Sequence, residues 1–304
     1  QEDHFYVGFW KTNMKIDLFT NNFLTKLNKD IIKKKKINVP KISIVIPSFN
    51  QAEFIERSIL SVLNQDYSNI ELIIIDGGSK DGTYEIIKKY KDKITLWVSE
   101  NDQGQSDALN KGFKHCTGDI FGWLNSDDIY LPNTFKCIIK ALGKNPNKKI
   151  IFGDWLSIDK KDEVIEYNYA FNFNLNQFKY EGFHLNAQSM FWRKSVHENF
   201  SGFDINLKNT MDFQMIIEFG INEGQQSFLH IPKPFGAFRR YDGQKTGAMT
   251  INVIKEHKSI AKKYKYLNKY KLIGKIKRLY FRIRRAFYYI KHEGLINLIY
   301  RLKK

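Results

Sequence analysis

Hydrophobic residues in this chain come first as short unbroken runs, separated by segments in which they recur at helical spacing. Ile42-Ser43-Ile44-Val45-Ile46 predicts a strand stopped by Pro47, and Ala52 to Asn64 predicts a helix with Ile55, Ile59, Val62 and Leu63 on one face. The pattern then repeats. Leu72 to Ile75 predicts a strand closed by Asp76-Gly77-Gly78, and Thr83 to Tyr90 a helix carrying Ile86 and Ile87. Ile94 to Val98 and Ile120 to Leu124 predict further strands around a helix from Ser106 to Cys116, with Lys149 to Phe152 a further candidate strand. Near-continuous apolar strands alternating with helices imply an α/β fold, its parallel sheet covered on both faces. Beyond residue 150 the pattern is less regular. Gln188 to Arg193 reads as a strand, Asn209 to Phe219 as a helix, and Phe228 to Arg239 as strand and turn around Pro232 and Pro234.

Ligands of open parallel sheets sit beyond the carboxyl ends of the strands. Those ends carry Ser48 and Asn50, then Asp76, Ser79 and Asp81, then Glu100, Asp102 and Gln103, then Asn125, Asp127 and Asp128. Asp127 and Asp128 are hard oxygen ligands suited to Mg2+ or Mn2+, which would act as a Lewis acid on a departing phosphate; equally, Asn-Ser-Asp-Asp forms a turn that caps a helix. Asp76 suits a base imide N–H such as uracil presents, with Gly77 and Gly78 allowing close approach, or Asp-Gly-Gly-Ser is an ordinary turn. No GxGxxG follows the first strand and no GxxxxGK[ST] occurs, which removes the main support for dinucleotide and P-loop readings. The seven histidines show no zinc-ligand spacing.

The order of these segments resembles the family 2 glycosyltransferases, of a bacterial polysaccharide-assembly type. The resemblance rests on Ile44 to Asn50 with Ser58 to Gln65, on Ile75 to Thr83, on Glu100 to Gly112 with Gly118-Asp119, and on Trp123 to Asp128. It covers roughly residues 41 to 245. It implies a GT-A fold with a mainly parallel sheet, and inverting transfer from a nucleotide-sugar donor to a glycan or lipid-linked acceptor. Donor contacts implied are Pro47, Ser48, Asn50, Glu53, Asp76, Asp102 and Lys111, with Asp127 the acid expected to hold a divalent metal through the diphosphate. The lean to uracil favours a UDP-sugar. Asn125 departs from the pattern, standing where many members carry the first acid of their metal motif. Its amide can bond a ribose hydroxyl but brings less charge. Gln188 to Arg193, Gly202-Phe203-Asp204 and Met211 to Gln214 resemble the family's later segment and put Asp212 at its base position, with Asp204 and Glu218 as lesser candidates. Read without the family, Asp212 is a first-turn acid favoured by the helix dipole. Phe238-Arg239-Arg240-Tyr241 resembles a further segment in which Tyr241 replaces a frequent His; there Arg239 steadies phosphate or is a surface arginine.

Composition changes this picture in one place. The 304 residues carry a net charge of +17, with 42% hydrophobic and 15% aromatic residues, as expected of a folded protein. Residues 255–304 hold seventeen Lys/Arg against Glu256 and Glu293, leaving the other residues near neutral. Leu272, Ile276, Leu279, Ile283 and Phe287 recur at helical spacing, with Lys275, Arg278, Arg282 and Arg285 largely off that stripe. This basic amphipathic helix suits an anionic membrane surface, or else packs its apolar face on the body. The organisation expected is an extension over 1–39, a catalytic domain over 40–250 with a nucleotide-sugar half to residue 150 and an acceptor half after it, and a helical basic tail over 251–304. No run reaches the roughly 20 apolar residues of a membrane span. The start Gln1-Glu2-Asp3 lacks an initiator Met and a signal pattern, and targeting is not read from this end; only Cys116 and Cys137 occur, so a reducing, cytoplasmic setting is expected, peripheral to a membrane if the tail binds one. Two other classes stay open: a nucleotide-sugar-binding module without transfer, motivated by Asn125, and nucleic-acid binding through the tail, the less favoured.

Overall fold

The computed structural model describes residues 39–182, 185–244, 251–266 and 272–293. The expected extension, except Val39, and the end of the tail from residue 294 lie outside them. Strands β1 (Ile42–Ser48), β2 (Ile70–Asp76), β3 (Leu96–Ser99) and β4 (Ile120–Trp123) pair in parallel, in the order β3-β2-β1-β4, and helices α1 (Ile55–Leu63), α2 (Thr83–Lys89) and α3 (Gln105–Lys114) connect them. Strict alternation on the central strands builds two cores. Ile42, Ile44 and Ile46 face one layer with Leu72 and Ile74, against Ile55, Ile59 and Val62 of α1. Val45, Ile73 and Ile75 face the other, against Leu109 and Phe113 of α3. Each such side chain, buried from water, contributes about 1.5–3 kcal/mol.

The second half adds antiparallel pairs to the parallel strands of the first. After β5 (Ile129–Tyr130) and α4 (Thr134–Lys144), a long β6 (Ile150–Ile158) pairs in antiparallel with β7 (Val164–Asn168) and β8 (Met190–Arg193), and β8 pairs in antiparallel with β4. Strand β9 (Phe228–Arg239) runs parallel to β6 and antiparallel to β5. Pro232 and Pro234 do not end β9: the ladder shifts register opposite Gly153 and Asp154 and resumes, the way a strand accommodates residues that cannot donate. The acidic stretch 125–128 therefore leads into a short strand held by β9, not directly into a helix.

Helices α5 (Leu175–Glu181), α6 (Lys194–Glu198), α7 (Met211–Asn222) and α8 (Ile251–Lys263) lie on the α3 side of the sheet, where Phe178, Val196, Phe213, Ile217 and Ile260 share one core. Helix α9 (Leu272–Glu293) packs on α5. Among the described residues no helix is long and apolar enough to cross a membrane.

Candidate active site

The carboxyl ends of β1 and β2 are tied by their own polar residues. Asn50 adopts a left-handed backbone (φ 50°), donates its N–H to Ser79 Oγ at 2.7 Å and accepts from Lys80 N at 3.0 Å. Asp76 is fully buried and accepts from Ser79 N (2.9 Å), Ser79 Oγ (2.5 Å) and Ser99 Oγ (2.6 Å). Three of its lone pairs are thus committed to the protein, so its side chain sets the shape of this edge as well as its charge. Pro47 and Ser48 end β1, and the buried Ser48 Oγ has no hydrogen-bond partner among the described residues, an orphan that a polar ligand would satisfy. Asp102 folds back to accept from Gly104 N (2.7 Å), and its Oδ2 lies 3.0 Å from where a Cβ on Gly77 would stand. Gly77 is therefore a close-approach glycine, and β2 and the loop after β3 meet there.

Glu53 is exposed, 3.6 Å from Lys160 Nζ. Lys111 is paired with Glu100 (2.8 Å) and Asp107 (3.3 Å), and the hydrogen bond it donates to Glu100 leads in raising its pKa. It is a fixed cation on the outer side of α3.

The turn after β4 separates the two acids. Asp128 is fully buried; its Oδ1 accepts from Arg239 N (2.8 Å) and its Oδ2 from Gln188 Nε2 (2.5 Å) and Asn125 Nδ2 (3.1 Å). Burial, then the charge of Asp127, pushes its carboxyl well above the usual carboxylate range. The expectation that Asp128 is a metal ligand is corrected on these grounds: both oxygens are engaged inside the protein, where they anchor the turn. Asp127 is half-buried and turned the other way, its Oδ2 accepting from the Tyr241 hydroxyl at 2.9 Å. Burial raises its pKa too, against the lowering pull of Tyr241 and the Arg239 charge. Among the described residues no three His, Cys, Asp or Glu side chains gather as a metal cage. A single half-exposed carboxylate still fits Mg2+ or Mn2+, since such ions complete their shell with substrate phosphates and water.

Arg239 is corrected as well. It is fully buried, neither at the surface nor open to phosphate: Nε donates to Asp127 O (2.7 Å), Nη1 to Asp159 O (2.6 Å), and Nη2 pairs with Asp162 at 2.5 Å. Its guanidinium lies 4.9 Å from the Phe54 ring centroid, and Phe54 in turn packs on Tyr241 at 4.7 Å. Arg239 thus braces the Asp127 turn from below. Arg239→Met is expected to cost about 3–5 kcal/mol of stability, because it strands the buried Asp162 with Arg57 alone. Urea denaturation measures that loss; a phosphate ligand would instead lose affinity with stability unchanged.

Asn125 uses its amide inside the protein. Its Oδ1 accepts from Trp123 Nε1 and Gln105 Nε2, both at 2.8 Å. Gln105 opens α3, and its neighbours reach across to the second half of the chain. Ser106 Oγ donates to Leu207 O (3.0 Å), Lys208 Nζ donates to Gln103 O (2.7 Å), and Asn110 exchanges two hydrogen bonds with the Phe203 backbone. The 203–208 loop leads straight into α7, whose first turn carries the half-buried Asp212; its Oδ1 accepts from Phe213 N at 2.7 Å. Asp204 bonds Asn206, and Glu218 is buried on Ser201 and Tyr264, so both lesser candidates serve the local fold.

Gln105, Gln188 and Tyr241 are site-shaping residues that the strand-end pattern did not single out. A further one is Glu256 of α8, which accepts from Lys208 N (3.1 Å), Asn209 N (3.0 Å), Asn209 Nδ2 (3.2 Å) and Thr210 Oγ1 (2.9 Å), occupying the donors before α7. One signal pointed to it: a lone acid among basic residues.

Comparison with known proteins agrees with this geometry. The family described as "Glycosyl transferase family 2" matches residues 43–200. An uncharacterized glycosyltransferase of Rickettsia felis is 40% identical over 140 residues, covering 44% of this chain and 23% of that protein. An Escherichia coli enzyme named UDP-Glc:alpha-D-GlcNAc-diphosphoundecaprenol beta-1,3-glucosyltransferase WfgD is 33% identical over 124 residues, 40% of this chain and 49% of that one. The matches thus span between about a quarter and a half of these relatives. Among solved structures, S. aureus TarS 1-349 in complex with UDP-GlcNAc superposes with a TM-score of 0.61 at 16% identity, covering 84% of this chain and 74% of that one. The mannosyltransferase PcManGT from Pyrobaculum calidifontis, in complex with GDP-Man and Mn2+, gives 0.54 at 16% identity, over 87% and 79%. These likenesses show the GT-A fold.

Proposed function

Because the chain belongs to glycosyl transferase family 2, we propose that it transfers a sugar, with inversion, from a UDP-sugar to a hydroxyl of a glycan or lipid-linked acceptor. The observation that carries this reading is the bridge through the start of α3: residues 103–106 touch the Asn125–Asp128 turn on one side and the loop before Asp212 on the other. A donor-holding acid and a base are thereby tied into one rigid frame. The names of WfgD and of the TarS complex support a uridine nucleotide, and WfgD supports a lipid-linked acceptor.

In this proposal Ser48, Asn50, Asp76 and Asp102 line the nucleoside, with the Ser48 hydroxyl gaining the partner it lacks. Asp127 would hold Mn2+ or Mg2+, which when bound would supply neutralisation of charge on the leaving group. Asp212 takes the proton of the acceptor hydroxyl as that oxygen attacks the anomeric carbon, and uridine diphosphate departs from the opposite face. Calorimetric titration with UDP, GDP and their common sugar conjugates, with and without Mn2+, tests the donor. Metal-dependent binding of a uridine conjugate is the expected result; tighter binding of guanosine conjugates would refute the uridine assignment.

A further inference from the structure

Helix α9 meets the body with the side opposite to its apolar stripe. Phe281 is buried against Tyr180, Arg285 Nε pairs with the buried Glu181 at 2.9 Å, Lys277 Nζ lies 4.9 Å from the Tyr180 ring centroid, and Tyr288 packs on Phe171 at 5.1 Å. The rotation of the helix is therefore set by cations and aromatics turned inward. The hydrophobic stripe points away from the protein: Leu272 is 75% exposed, Ile276 60%, Leu279 60%, Ile283 49% and Phe287 67%. Five large apolar side chains along one line of a helix about 33 Å long form a contiguous patch of the kind that marks a docking surface.

The chemistry of its margins says what it docks on. At 100° per residue, exposed Lys275 and Arg282 fall on one edge of the stripe and exposed Arg284 on the other. Glu293, at the far end, is the only acid in the helix, and no segment of α9 is apolar enough to span a bilayer. An apolar centre edged by cations on both sides is complementary to a surface that is negative outside and hydrocarbon within. A water-soluble partner would have to match the stripe and also supply anions at both of its edges.

We infer that α9 is an interfacial helix that lays its Leu272–Phe287 stripe into the head-group region of an anionic bilayer, parallel to the surface. The body, held by the inward face of the same helix, is thereby docked. The inference does not rest on the transfer chemistry, and its test needs no sugar donor.

The test is flotation of the full chain with vesicles of phosphatidylcholine alone or containing about one third phosphatidylglycerol. The wild type is expected to float with the anionic vesicles, in a salt-sensitive manner. Ile276→Asp/Ile283→Asp should weaken that binding about a hundredfold, since it removes two buried anchors and adds two like charges. Lys275→Gln/Arg282→Gln/Arg284→Gln should weaken it about a hundredfold at low salt, at roughly fivefold per lost cation. All five positions are exposed, so an unchanged thermal midpoint is expected to accompany both losses. Wild-type protein that stays in solution with both vesicle types would overturn the inference. So would flotation indifferent to the Ile276/Ile283 pair, preferential capture by RNA, or a dimer dissolved by the same pair without vesicle binding.

Discussion

Asp127→Asn is expected to abolish metal-dependent binding of the nucleotide diphosphate while leaving the fold intact. The amide keeps the shape and can still accept the 2.9 Å hydrogen bond from Tyr241, so the turn has no reason to collapse. What it loses is the negative charge of the half-buried carboxylate at the end of β4. Asp128 offers no substitute, because Arg239 N, Gln188 and Asn125 already occupy it. With the rest of the metal shell supplied by phosphate and water, affinity should fall about a hundredfold or more, reflecting roughly 3 kcal/mol for a charge-assisted contact in a partly buried site. Calorimetry with Mn2+ present measures it; unchanged affinity would remove Asp127 from the metal. Burial has a linked consequence for pH. An acid whose folded pKa is raised binds protons more readily folded than unfolded, so ionising Asp127 and Asp128 costs stability as pH rises through their range. A bound cation requires the ionised form and would release a proton. Metal affinity is accordingly expected to decline as pH falls, starting at a higher pH than an ordinary aspartate would show, and the variant should lack that dependence.

Asp212→Asn is expected to leave donor binding unchanged and to lower kcat by about 10²–10⁴-fold, the range for removing a general base. Asp212 sits in the first turn of α7, and Glu256 already satisfies the loop donors before that helix. The substitution preserves the oxygen that can accept from Phe213 N. Stability should change by under about 1 kcal/mol, since a first-turn acid gains only a few tenths to that amount from the helix dipole. Single-turnover kinetics with saturating donor separate the outcomes. A large loss of stability with an unchanged rate would return Asp212 to the role of a dipole-favoured acid.

Both results depend on a frame that is only partly legible in sequence. The apolar runs at 42–46, 72–75 and 120–124 are strands, as their composition predicts, because strands buried on both faces need apolar residues at every position. Local pattern also places Asp76, Asp102 and Asp127 at strand ends and Asp212 at a helix start. It does not reveal β5, since two residues carry no periodicity, nor that β9 runs through Pro232 and Pro234 by shifting register.

What the sequence by itself determined is the set of elements and the edge at which their polar ends collect. Periodicity of two and of 3.6 is a local property, written into each segment by the need to bury one face. Tertiary structure alone decided which polar groups remain available at that edge. Asp127 and Asp128 are adjacent and chemically identical, yet Gln188 and Arg239, 60 and 111 residues from Asp128, close one acid and leave the other half-exposed. Arg239 became a buried brace because Asp162 and the Asp159 carbonyl reach it from the turn after β6, and the Asp127 carbonyl from the turn after β4. The stripe on α9 was visible at once, but its direction was not: that was fixed by Glu181, Tyr180 and Phe171, which take the basic and aromatic side of the helix inward and leave the hydrophobic side facing out.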